Sequence, residues 1–111
     1  SILQHKKKYA ESNEYLLDAY KFYFETKNKM ALYHTLGYML SNYSKLNDKE
    51  MVYKYYLKYI EITEIIDEDF FRIGCYDNLS EIFKQLNEEN LYKKYLRLHE
   101  ESKERWKNKN K

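Results

Sequence analysis

The chain has 111 residues, 34% of them charged and 43% hydrophobic, with 20 Lys and Arg against 18 Asp and Glu and no proline. That length holds one compact core and no second; the charge density argues against a membrane span, and a formal net charge of +2 lacks the concentrated positive stripe that a phosphate backbone requires. With only Gly37 and Gly74, the punctuation of sandwiches, barrels and Gly-rich phosphate loops is missing, and an all-α domain remains.

Apolar residues recur at spacings of three and four and mark five amphipathic helices. The first is expected from about Lys6 to Thr26, with Tyr9, Tyr15, Leu16, Ala19, Tyr20 and Tyr23 on its apolar side. After the polar break at 27–29 the second covers Met30 to Ser44 through Leu32, Tyr33, Leu36, Leu40 and Tyr43. Asn47 and Asp48 supply a turn and an N-cap, the short Asp48 side chain accepting from the free amides of the next helix. That third helix, Lys49 to Ile66, carries Val52, Tyr55, Tyr56, Tyr59, Ile60 and Thr63. The acidic run Asp67, Glu68, Asp69 suits the positive end of a fourth helix over Phe70 to Gln85, and Asn87 opens a fifth that runs to Trp106.

A fixed internal period marks stacked repeats. At a shift of 40, Leu46-Asn47-Asp48 falls on Leu86-Asn87-Glu88, and Tyr15, Tyr55 and Tyr95 coincide. The intervening helices align at 43, pairing Tyr33 with Tyr76, Leu36 with Leu79 and Leu40 with Phe83, which implies about three extra residues between the helices of the first full repeat.

Tyr33, Leu36, Gly37 and Leu40, followed by Val52, Tyr56 and Tyr59, resemble one tetratricopeptide repeat. Tyr76, Leu79, Ser80 and Phe83, followed by Tyr92, Leu96 and His99, resemble a second, and Ser12, Leu16 and Ala19 the second helix of a leading repeat. Val52, Tyr59, Tyr92 and His99 replace the usual alanines, and no proline closes a repeat. The resemblance implies an antiparallel helix-pair solenoid divided into 1–28, a partial repeat, then repeats over 29–66 and 69–106 and a tail over 107–111. Tyr33, Leu36, Tyr56, Tyr76, Leu79, Phe83 and Leu96 are expected in its core.

Nothing in the chain converges as a catalytic site. His5, His34 and His99 are far apart and lack metal-ligand spacing, and the single Cys75 closes no intrachain disulfide and suits a packed thiol. Glu61, Glu64, Asp67, Glu68 and Asp69 lack the alternating ligands and central glycine of a calcium loop. The expectation is a non-enzyme without cofactor or metal, cytoplasmic, and a piece of a longer protein. The basic stretch Arg97 to Lys111, with Trp106 isolated among Lys and Asn, is expected to join a following domain or to pair two chains as a homodimer.

The family pattern turns the first helix of each repeat toward a concave groove. Carried over, it places Ala31, His34, Tyr38, Ser41 and Asn42 there, with Asp77, Asn78, Glu81, Lys84 and Gln85 from the next repeat. The peptide-binding set is His34, Tyr38, Asn42, Asn78, Glu81 and Gln85, with Asn and Gln amides clamping a peptide backbone and Tyr38 as a stacking surface. Both asparagines are expected to be exposed in the free chain. The chain is thus similar to the repeat sensors of bacterial cytoplasmic peptide-pheromone receptors, which implies a protein or peptide partner and no direct nucleic acid or membrane contact. A second resemblance is to repeat arrays that precede diguanylate cyclase or histidine kinase domains, where repeats sense or dimerise.

Overall fold

The computed structural model describes all residues, 1–111, and contains five helices and no strand: α1 (Ile2–Glu25), α2 (Lys29–Lys45), α3 (Lys49–Ile66), α4 (Asp69–Gln85) and α5 (Glu89–Lys109). Local chemistry sets the boundaries. Three of the turns end one helix and start the next with the same device: Lys27, Asn47 and Asn87 take positive φ, and the residue after each donates its N–H back to Tyr23, Tyr43 or Phe83. This left-handed termination satisfies free carbonyls at the helix end. The following residue is at once the N-cap of the next helix, with Asn28 accepting from the Ala31 amide and Asp48 from the Met51 amide. α1 starts earlier than its apolar pattern, because Ser1 and Gln4 form a reciprocal capping box.

The positive-φ residues Lys27, Asn47, Asp67 and Asn87 stand 20 residues apart, so α2 and α4 begin 40 residues apart, like α3 and α5. The inferred shift of 43 and its three extra residues are therefore not present. Apolar positions cannot distinguish the two, since a slip of three residues keeps a side chain on nearly the same helix face; the caps fix the register.

The connections are too short for anything but antiparallel neighbours. α1 packs on α2, α3 on both α2 and α4, and α5 on α4, while α2 and α4 also lie against each other. The core runs between them through Leu36, Met39, Leu40, Val52, Cys75, Leu79, Phe83 and Tyr95. Tyr33 and Tyr76 are buried as expected and Tyr56 lies at the core edge, its ring edge-on to Phe83 at 5.2 Å. Leu96 is not in the core: it is 38% exposed, and the preceding residue, Tyr95, fills the site at 3% exposure, stacked on Phe83 and Tyr76. Tyrosine rings thus pack between the helices, and the Tyr33 and Tyr76 hydroxyls donate to the Phe71 carbonyl and the Glu64 carboxylate.

The expected fifth-helix end at Trp106 extends to Lys109. Here α5 returns over the start of α4: Arg105 Nε and Lys109 Nζ donate to the Asp69 carboxylate at 3.2 and 2.9 Å, and Arg105 also donates to Ser102. No helix is long and apolar enough to cross a membrane.

Candidate functional site: the cleft between α2 and α4

Two glycines let α2 and α4 approach and leave an open depression of about 320 Å³ between them, lined by His34, Gly37, Tyr38 and Ser41 from α2 and Gly74 and Asn78 from α4. Its floor is made of the Tyr33 and Tyr59 phenols. A Cβ at Gly37 would meet the Tyr59 hydroxyl at 3.1 Å, and one at Gly74 would collide with the Tyr33 hydroxyl. The glycines therefore serve side-chain space, since neither has positive φ.

Two sets of hydrogen bonds cross the floor. Asn78 Nδ2 donates to the Gly37 carbonyl at 3.2 Å and to the Tyr59 hydroxyl at 3.4 Å. Tyr33 donates its hydroxyl to the Phe71 carbonyl at 2.9 Å. The Tyr33 and Tyr59 rings lie 5.4 Å apart, tilted at 43°. Burial pushes the Tyr33 phenol up to about 12 and raises Tyr59 further, so both stay protonated at any physiological pH. The result is a rigid floor tying α2, α3 and α4 together.

Above it, Tyr38 is 65% exposed and His34 stands edge-on to Tyr33 at 5.2 Å. Of the six residues chosen for the groove, His34, Tyr38 and Asn78 line this cleft. Glu81 and Gln85 follow Asn78 along the same exposed stripe of α4, roughly one and two turns on. Asn42 sits elsewhere: its Nδ2 donates to Asn13 Oδ1 at 3.0 Å and to Ser12 Oγ at 3.3 Å, at the seam between α1 and α2. Neither Asn42 nor Asn78 is fully exposed, because each amide donor is engaged inside the chain. Lys84 lies over the Tyr92 ring on the α5 side, Asp77 is exposed on the α4 surface and Ala31 is half-buried.

The floor residues Tyr33 and Tyr59 were legible only as apolar positions of their helices. Gly37 and Gly74 are a further sequence signal of the cleft, since a helix interior tolerates Gly at a cost of roughly 1 kcal/mol and needs a packing reason for it.

A second cluster is electrostatic. Arg72 on α4 gathers Glu64, Asp67 and Asp69, the acidic segment whose charges were expected to serve the helix end alone. Asp69, whose side chain is only 4% exposed, faces Arg72, Arg105 and Lys109. The Lys109 and Arg105 hydrogen bonds hold its carboxyl below the ordinary range against the opposing effect of burial. Hydrogen bonding to Asp67 raises the Arg72 guanidinium above its ordinary range. Of the other candidates, His99 Nδ1 bonds the Ile73 carbonyl at 3.2 Å and Cys75 is buried, its thiol pushed up to about 12 by desolvation. No three His, Cys, Asp or Glu side chains converge in a way that could hold a metal ion.

Comparison with protein-family models, curated proteins and solved structures finds no match.

Proposed function

We propose that the chain is a non-catalytic repeat module of the tetratricopeptide type, from a bacterial cytoplasmic regulatory protein, that holds an extended polypeptide segment in the cleft between α2 and α4. The observation that carries this reading is the pairing of α2 and α4, 40 residues apart at their starts, around a depression with a polar floor and one large exposed ring, Tyr38, at its rim. Such a floor costs little to order on binding, because it is already fixed in the free chain. The ring offers a stacking face with few rotamers to immobilise.

The test is selection of binders from a library of random linear peptides on the whole chain, followed by Tyr38→Ala and His34→Ala. Selected peptides that lose binding several-fold in these variants support the reading. Peptides indifferent to both changes put recognition elsewhere and overturn it.

A second reading, a dimerising or stacking segment ahead of an output domain, draws on α5, where Leu96 and Trp106 remain 38% and 43% exposed. Sedimentation of the wild type and of Trp106→Ala separates the two, since only the second reading expects an association that the substitution weakens.

A further inference from the structure

α5 is held to α4 in two different ways along its length. In its first half Tyr95 lies in the apolar core and Leu91 and Leu98 pack against it. Beyond Leu98 no apolar side chain of α5 does so: Trp106 stands apart from the core, and every residue from Glu104 onward is exposed. Over the last two turns, Lys103–Lys109, the side-chain bonds that leave α5 are those of Arg105 Nε and Lys109 Nζ. Both end on the same carboxylate, Asp69, at 3.2 and 2.9 Å. The Lys103–Glu100 and Lys107–Glu104 pairs lie within α5 and tie it to no other helix.

Asp69 is buried although its neighbours Glu68 and Phe70 are exposed, and the charged groups that meet it are Arg72 of its own helix and the two cations of α5. With the end of α5 lifted away, the carboxylate returns to water and keeps Arg72 and the positive start of α4, so no charge is left buried and unpaired. Arg72 in turn stays bonded to Glu64 of α3 and Asp67 of the α3–α4 turn. Arg105 is half-exposed and Lys109 largely exposed, so water receives both cations at little cost and salt competes with their pairing. Two turns of helix without a tertiary contact are too short to be stable and fray. We infer that Lys103–Lys109 is a strap that opens from α4 while the rest of the fold stays closed, with the Asp69 carboxylate as its catch and ionic strength as what loosens it. Open, it uncovers an acidic group at the start of α4 and frees Arg105 and Lys109 beside Lys107, charges that the closed chain sets against each other.

Hydrogen exchange on the whole chain, read by mass spectrometry on segments 90–98 and 103–110, tests it. In the wild type, 103–110 should exchange faster than 90–98 and accelerate further between about 0.05 and about 0.5 M salt, while 90–98 stays unchanged. Arg105→Gln with Lys109→Gln should accelerate 103–110 by about two- to thirty-fold at low salt, the range for two ion pairs with exposed cations. In an Asp69→Asn background the same double change should add nothing. Acceleration of both segments together would mean that α5 opens as one unit, and overturns the strap; so does exchange of 103–110 that ignores salt. An equal effect of the double change with and without Asp69 would show that the charges act on the helix end alone, and overturns the catch. The salt series needs no substitution, so the inference can fail on the wild-type chain by itself.

Discussion

The hydroxyl of Tyr33 occupies the space that a side chain at position 74 would need: a Cβ there would lie 2.5 Å from it. Tyr33 cannot swing away freely, because the same hydroxyl is bonded to Phe71 and its ring packs edge-on to Phe71 at 5.1 Å. Gly74→Ala therefore sets about 1 kcal/mol of gained helix propensity against about 1 to 3 kcal/mol of overpacking, with a net loss expected. In a Tyr33→Phe background the obstacle is gone, and the same substitution should become neutral or stabilising. A double-mutant cycle by urea unfolding measures that reversal, and equal effects in both backgrounds would refute the contact.

Asn78→Ala removes both side-chain bonds, to the Gly37 carbonyl and to the buried Tyr59 hydroxyl. The expected loss is about 1 to 3 kcal/mol. The thermal midpoint should drop clearly, whereas two exposed asparagines would have left it almost unchanged. Asn42→Ala should act similarly by releasing Asn13 and Ser12. A melt of each single variant decides it.

Leu79 is fully buried and Leu96 is not. Leu79→Ala should cost about 2 to 5 kcal/mol, and Leu96→Ala less than about 1 kcal/mol. Comparable losses in urea would mean that Leu96, and not Tyr95, faces the core.

Asp69 couples stability to pH. Its folded pKa lies below the unfolded value of 3.8, so the carboxylate contributes stability that is present above that value and lost as pH falls through the folded pKa. Asp69→Asn should lower the thermal midpoint by a similar amount across the neutral range, and the gap from wild type should close in acid below the unfolded pKa. A gap that widened in acid would contradict the sign.

Cys75 should resist thiol reagents at mildly alkaline pH in the folded chain, since it is fully buried and its thiol is pushed up to about 12. Labelling should follow unfolding, appearing in full in denaturant. Rapid labelling of the native chain would show that the site opens locally.

The arrangement of helices was readable because it depends on local signals. The three-and-four spacing needs only the chain itself, and so does the Asn47-Asp48 turn, where a residue tolerant of positive φ precedes a short acceptor side chain. Lys27 in the same left-handed conformation was not readable, because lysine has no preference for it, although the turn is closed by the same local hydrogen bonds, Asn28 N–H to Tyr23 and the Ala31 amide to Asn28. The cleft was half readable. Tyr38 and His34 were placed in the groove by the family resemblance, but nothing in the chain order says that the Asn42 amide turns to Asn13 while the Asn78 amide turns to Gly37.

By itself, then, the amino-acid sequence determined five helices, their order and the tyrosine-rich apolar faces, because propensity, capping and amphipathic period act over a few residues. Only the tertiary structure decided the 40-residue register between α2 and α4, the choice of Tyr95 over Leu96 and the meeting of Arg72 with three carboxylates. It also turned the Asn78 donors inward and left the Glu81 charge outside. Each of these depends on which side chain fills a gap between elements distant in sequence, and a helix face shared by residues three and four apart leaves that choice open until the helices pack.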